Sequence, residues 1–214
     1  MAVPPPENPS GGARSPSWAG ARLCEVELLQ VTTPPHLLPL DAFAGALRAE
    51  LGTAYQVPNF DPRDGGTRAT ALFLLEAPGP KAVTSGLVSQ DNPDPSARNM
   101  TQLLKAAGFQ RKDVVLWNVV PWYVGTGTKI RPVTRADLRA ALPHLQRLLT
   151  LLPALRVIVL VGRKAQAVRA DIQAMTNVPL VDSYHPSNLV LNRAPSRYGE
   201  ILASFETAWQ IAMR

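Results

Sequence analysis

Val178-Pro-Leu-Val-Asp182, then Ser183 and Tyr184-His-Pro-Ser-Asn-Leu-Val-Leu-Asn-Arg193, is the stretch on which the reading of the fold turns. The apolar run reads as a short strand, and the histidine follows it directly. A Pro-Ser pair and an apolar Leu189 inside a polar loop make a poor core and a good ligand-touching loop. Alone, His-Pro-Ser is an ordinary turn, with Pro fixing φ and Ser bonding back to the backbone. Two further strand candidates also end in polar groups, and an open parallel sheet places its ligand crevice at such strand ends.

Working outward from this stretch, the chain from Ala69 alternates short apolar runs with longer helical ones. Strands are expected at Ala69–Leu75, Asp113–Trp117, Leu155–Val161 and Pro179–Asp182. Between and after them, Ser96 caps a helix to Ala107 with Gly108 as its stop. Thr134-Arg-Ala-Asp137 resembles a capping box opening a helix through Leu152. Arg163–Met175 and Ser196–Met213 complete the set. Strands alternating with helices imply a parallel sheet covered on both faces, a three-layer α/β/α sandwich around a central four-stranded parallel sheet. Upstream, Leu40–Leu51 has helical spacing and stops at Gly52, and Val57–Gly66 is rich in turn formers. Arg22–Val31 fits a strand or a short helix equally. Residues 1–20 carry too little apolar content to order themselves and read as a disordered Pro/Gly-rich tail, which leaves 21–214 as a single domain.

Composition sets outer limits. The 214 residues are 46% hydrophobic and 18% charged, enough for one sizeable core. No apolar run reaches bilayer-spanning length and no basic-then-apolar leader opens the chain, so a cytoplasmic protein without membrane contact is expected. The single cysteine, Cys24, forms neither an internal disulfide nor a cysteine metal cluster. A net charge of +6 and a pI near 9.9 suit a polyanionic partner without requiring one.

On the expected ligand edge lie Leu75-Glu-Ala-Pro-Gly-Pro80, Asn118-Val-Val-Pro-Trp122, Gly162-Arg-Lys164 and the histidine loop. Glu-Ala-Pro-Gly does not supply a dinucleotide-binding glycine fingerprint, and no phosphate-cradling lysine loop is present. His36, His144 and His185 lack metal-ligand spacing. No Gly-x-Ser-x-Gly elbow occurs, and Cys24 has no readable base partner. Hydride transfer, nucleotide hydrolysis and serine or cysteine acyl chemistry are therefore disfavoured.

What these segments resemble is the uracil-DNA glycosylase superfamily. Leu75-Glu-Ala-Pro-Gly79 is similar to the Gly-Glu-Ala-Pro-Gly loop of its iron-sulfur branch. Val114-Val-Leu-Trp-Asn-Val-Val120 resembles the strand that ends in the uracil-reading asparagine, and His185-Pro-Ser-Asn-Leu-Val-Leu-Asn-Arg193 matches the His-Pro-Ser-x-Leu loop and its following arginine. The resemblance runs from about Leu72 to the C-terminus. It implies a monomeric, cofactor-free monofunctional hydrolase that cleaves the N-glycosidic bond of uracil, or of other deaminated bases, in DNA. Asn118 would pair with O4 and N3-H of uracil, a pattern that cytosine reverses. His185 would donate, as the neutral ring, to the O2 of the departing uracil anion. Leu189 would fill the gap left by the extruded nucleotide. Ser85 and Ser187 would hold phosphates, with Lys81, Lys129, Arg131, Lys164 and Arg193 supplying charge. Without the company of the other motifs, Asn118 would read as a strand-end asparagine bonding its own turn, and each cation as a solvated surface group.

The departures from the family pattern shape the rest of the expectation. Ala77 stands where some branches carry an acidic residue for water, leaving Glu76 as the motif's only carboxylate, with Asp91, Asn92 and Asp94 as alternatives. Gly79 replaces a methyl-excluding tyrosine, so the pocket is expected to accept bases beyond uracil. Leu87 is the best match to the stacking aromatic. The cluster cysteines are missing. A DNA-binding protein of the same fold with little turnover is the alternative function, and a hydrolase of free nucleosides a third.

Overall fold

The computed structural model describes residues 33–126, 130–194 and 196–214. Cys24, Lys129, the 1–20 tail and Arg22–Val31 lie outside the described residues. In chain order the elements are α1 (Leu38–Leu51), β1 (Asn59–Phe60), β2 (Ala71–Leu75), α2 (Pro80–Ser85), β3 (Leu87–Val88), α3 (Pro95–Ala106) and β4 (Val114–Asn118), then α4 (Arg135–Thr150), β5 (Val157–Val161), α5 (Arg163–Gln166), α6 (Arg169–Met175), β6 (Leu180–Ser183), α7 (Asn188–Leu191) and α8 (Arg197–Ala212). Residues 33–214 form one compact unit.

The four long strands pair in the order β4-β2-β5-β6, every pair parallel. Parallel strands need crossovers, and the helices between them cover both faces, giving the expected α/β/α layering. β2, β4 and β5 are buried almost throughout, as their unbroken apolar sequences require. Helix α8 packs on β2, β5 and β6 with α3 beside it, while α4 packs against both α1 and α6. Phe73 anchors one side of the sheet edge-on to Phe109 and Phe205, and Trp117 is stacked on Phe60 with ring centroids 3.9 Å apart. None of the helices among the described residues is long and apolar enough to cross a membrane.

Four local expectations are corrected. The cap of α3 is Asp94, whose carboxylate accepts from the Ala97 backbone N–H at 2.9 Å, and not Ser96. Pro95 takes the first helical position, where its fixed φ and missing N–H cost nothing. Arg163–Met175 is two helices, broken where Val168 leaves helical geometry at φ −107°, ψ 16°. Asn118 belongs to β4 itself. The turn-rich Val57–Gly66 holds the two-residue β1, which pairs in parallel with β3. Thr134 and Asp137 do form the reciprocal capping box of α4.

The β1–β3 pair brings the segment after β3 onto a buried ionic cluster. Asp61 accepts from Ser89 Oγ and from Arg111, and Asp64 accepts from Gln90 Nε2 at 3.2 Å and Arg111 Nε at 3.0 Å. Asp91 meets Arg111 Nη1 at 2.6 Å. Three consecutive side chains, from residues 89, 90 and 91, are thus pinned to one guanidinium and two buried carboxylates. Asp64 is pushed up to about 7, first by burial and then by the Asp61 carboxylate, against the lowering pull of Arg111 and Gln90. Its Oδ2 is buried without a partner among the described residues.

A carboxyl that holds its proton more tightly when folded than when unfolded adds stability that is complete below pH ~4 and is lost as pH rises toward ~7. Asp64→Asn cannot ionise yet keeps an acceptor for Arg111 and Gln90. It is expected to stabilise the fold by ~1–3 kcal/mol at pH 8 and to change it little at pH 4.5. Urea midpoints at the two pH values measure this, and an equal shift at both would refute the ionisation argument.

Candidate functional site

The carboxyl ends of β2 and β4, the segment after β3 and the loop after β6 enclose a cavity of about 420 Å³, within the usual range for small-molecule sites. Its position follows from strand register. Leu75 pairs with Asn118, and the ladder continues past the strands as Val119 N–H donates to Leu75 O at 2.8 Å and Val120 N–H to Glu76 O at 3.0 Å. Leu116 and Asn118, two apart on β4, face the same way and both line the cavity. Asn118 is 4% exposed, and its carboxamide has no hydrogen-bond partner among the described residues. A buried amide facing a cavity, with no partner among the described residues, leaves a donor and an acceptor available to a molecule in that cavity.

Glu76, Ala77, Gly79 and Lys81 line the same cavity from the β2 end. The Glu76 side chain makes no ion pair or hydrogen bond among the described residues. Gly79 caps α2, and a Cβ built on it would meet nothing within 4 Å. Across the cavity lies His185. Its close approach to the sheet depends on Gly162, which sits at φ +89° after β5 and whose hypothetical Cβ would be 3.2 Å from the His185 Cβ. Gly162 N–H donates to Ser183 O at 2.8 Å, and Gln166 Nε2 donates to the same carbonyl at 2.8 Å. From α3, Asn99 Nδ2 donates to Pro186 O at 2.8 Å and to Asn188 Oδ1 at 3.0 Å, tying down the other side of the loop. Burial lowers the His185 pKa below its ordinary value and the nearby Asp94 carboxylate partly opposes this, a balance that favours the neutral ring.

The remaining expected residues are distributed around the rim. Leu189 on α7 is 67% exposed, Arg193 is exposed and Ser187 half-buried, and none of the three lines the cavity. Leu87 does not line it either: alternation along β3 turns Val88 inward, and Val88 and Ser89 form the wall. Ser85 Oγ donates to Asn92 Oδ1 at 2.7 Å, fixing a carboxamide that also donates to Leu87 O at 3.0 Å. Lys164 donates to the carbonyl of Val133 and holds the segment carrying Ile130 and Arg131, both of which reach the cavity. Arg131 is paired with Asp137 by hydrogen bonds of 2.6 and 2.8 Å. His36 lies 3.3 Å from the Asp64 carbonyl, and His144 packs edge-on to Trp122; neither reaches the cavity.

Sequence reasoning missed Val124, Ile130, Met100 and Ser89 as lining residues, and Asn99 as the loop's tether. Apolar residues lining a wall look like core, and a polar residue in a helix looks like surface, so nothing local marks them. Asp94 carried a signal in its place before Pro95.

Comparison with known proteins now bears on this cavity. The family model for the uracil DNA glycosylase superfamily matches residues 62–211, a span holding every residue placed at the cavity above, and the chain belongs to that superfamily. No curated protein sequence matches it. Among solved structures it is similar to wild-type UNG from Nitratifractor salsuginis, at 15% identity and a TM-score of 0.43, covering 80% of this chain and 90% of that one. A point mutant of the same protein matches at 18% identity and a TM-score of 0.45, covering 84% and 91%.

The electrostatics of His185 yield a direct check. Its ring, followed by NMR across pH, is expected to titrate below its ordinary midpoint. Asp94→Asn keeps the α3 cap but removes the charge that favours the imidazolium, and should move the midpoint lower still. An upward move would contradict the assigned balance.

Proposed function

We propose that this superfamily member hydrolyses the N-glycosidic bond of uracil in DNA, with Asn118 reading the base, His185 stabilising the departing anion and Glu76 orienting the attacking water. The observation that carries the reading is convergence: three side chains 42 to 109 positions apart in sequence border one cavity of nucleobase scale, two of them with no partner among the described residues.

Water attacks C1′ of the extruded deoxynucleotide as the C1′–N1 bond breaks. The bonding pair leaves with the base, and its charge spreads onto O2. A neutral His185 N–H aimed at O2 stabilises that charge without the cost of burying an imidazolium. The water's proton passes to a carboxylate, and the uracil anion takes up a proton on release. Of the polar residues near the cavity that could orient the water, Asp91 is engaged by Arg111 and Arg63 and is absent from the lining. Asn92 is held by Ser85 and Leu87 O, and Asp94 accepts the α3 cap bond. Glu76 alone of these reaches the cavity unencumbered, which supports it for the role.

The open space at Gly79 supports a base range wider than uracil. Hypoxanthine and xanthine present a carbonyl acceptor next to an N–H donor, the same edge that a carboxamide reads in uracil. Outside the cavity, Leu189 is the proposed wedge, with Lys81, Ser187 and Arg193 meeting the backbone.

Labelled oligonucleotides carrying uracil, hypoxanthine or xanthine, single- and double-stranded, provide the test. Release of base leaving an abasic site is expected, with retention and no product pointing instead to a binding protein. His185→Ala should lower single-turnover cleavage about 10²–10³-fold with little change in DNA affinity. Asn118→Asp should lower uracil excision by about 5- to 150-fold and admit cytosine. An unchanged base preference in Asn118→Asp would remove the recognition argument.

A further inference from the structure

The cavity accounts for His185 but not for its neighbour. Along the segment leaving β6, Ser183 is buried and His185 turns into the cavity, while Tyr184 between them points outward and is 44% exposed. A lone exposed tyrosine is unremarkable. This one is held in place. The Arg197 guanidinium sits 3.9 Å from the ring centroid, well inside cation–π range. Arg197 Nη1 donates to Glu200 Oε2 at 2.7 Å, and Ser196 Oγ donates to Glu200 Oε1 at 2.7 Å. The first turn of α8 therefore fixes the guanidinium, and the guanidinium backs one face of the ring. Since the residue remains 44% exposed with that face covered, the open area is largely the opposite face and the ring edge.

We propose that Tyr184 is a stacking platform for the base adjacent to the extruded nucleotide in the same DNA strand, preorganised by Arg197. The proposal rests on the glycosylase reading and names a strand contact within it. Consecutive Cα atoms are ~3.8 Å apart, so the backbone that carries the ring is placed directly beside the histidine assigned to the extruded base. Extrusion strips a neighbouring base of one stacking partner, and an aromatic face replaces that partner whatever the sequence. Leu189 and Arg193, further along the same connection, are also exposed, and the chain's net charge of +6 complements a polyanion. Because Arg197 is neutralised by Glu200, its role here is to support the ring and not to hold a phosphate.

The probe is a single-stranded oligonucleotide carrying a tetrahydrofuran abasic analogue with 2-aminopurine on one side or the other, read by fluorescence anisotropy and by 2-aminopurine emission. The unsubstituted protein is expected to bind it and to quench 2-aminopurine on one side of the analogue. Tyr184→Phe should behave the same. Tyr184→Ala and Tyr184→Leu should bind about tenfold more weakly and lose the quenching. Tyr184→Leu keeps apolar bulk over Arg197, and matched melting temperatures separate its loss from unfolding. Unaltered binding and quenching in Tyr184→Leu and Tyr184→Ala overturns the platform, as does a loss in Tyr184→Phe as large as in Tyr184→Ala, which would assign the contact to the hydroxyl. If the unsubstituted protein binds neither this probe nor a uracil-bearing strand, the glycosylase reading falls and the platform with it. Intact uracil excision with an indifferent Tyr184 sinks the platform alone.

Discussion

The register of β2 against β4 is the constraint on which the site depends. Setting Leu75 opposite Asn118 brings the Glu76 loop and the Asn118 carboxamide to the same height on the sheet, and the two hydrogen bonds beyond the strands hold both chains parallel as they leave it. Side chains on a strand alternate between faces, so a slip of one residue would turn Trp117 toward the cavity and Asn118 toward Phe60 and Phe43. The slip is opposed by hydrophobic burial: Trp117 is 1% exposed and stacked on Phe60, and losing a contact of that size costs several kcal/mol, about 3–5 for a buried tryptophan cut to alanine. The aromatic packing under the sheet thus fixes the orientation of a polar group at its edge. That group itself contributes nothing favourable to folding until a ligand pairs with it.

His185 is governed by different forces. It lies on a connection with little regular structure, and its position is set by polar tethers and by one glycine. Gly162 lets the imidazole approach the end of β5 at a φ that favours glycine, while Asn99 and Gln166 hold the backbone on either side. The wall opposite is held by the cluster of Asp61, Asp64 and Arg111, which captures three successive residues after β3. Burying two carboxylates against one guanidinium is expensive, and apolar packing of equal volume would be at least as stable. What an apolar patch would lack is direction. The bonds to Ser89, Gln90 and Asp91 specify how the segment lies, and Asn92 and Asp94 follow from it.

How far these features were legible in the sequence depended on the range of the interactions behind them. Alternating apolar runs, the Thr134–Asp137 box and the polar strand ends are local signals, and they led to the four parallel strands and to Glu76, Asn118 and His185 on one edge. β3 is only two residues long, too short to show a period, so nothing in the sequence indicates that Leu87, the match to the family's stacking aromatic, faces away from the cavity while Val88 lines it. Lys164 looked like a free cation because its acceptor, the Val133 carbonyl, lies 31 residues away. The break at Val168 has no proline or glycine to announce it. The ionic cluster joins positions from 61 to 111, and no spacing rule links them.

In the proposed reaction the cavity cannot act alone. Extruding a nucleotide costs a few kcal/mol, and a bidentate amide–base pair supplies only ~1–3 kcal/mol of discrimination. If recognition inside the cavity had to offset extrusion as well, little would remain to separate uracil from its neighbours. The offset has to come from contacts that are indifferent to the base: charge against phosphate, an apolar residue in the vacated stack, an aromatic face for the base left behind. Those contacts need exposed groups on a firm support. Leu189 and Tyr184 flank His185 in sequence, both exposed, with Tyr184 backed by Arg197 and the loop backbone tied to Asn99. In the proposed reaction, then, one short loop divides its work by side-chain direction: the inward residue meets the reacting base, and its outward neighbours meet the cost of bringing that base in.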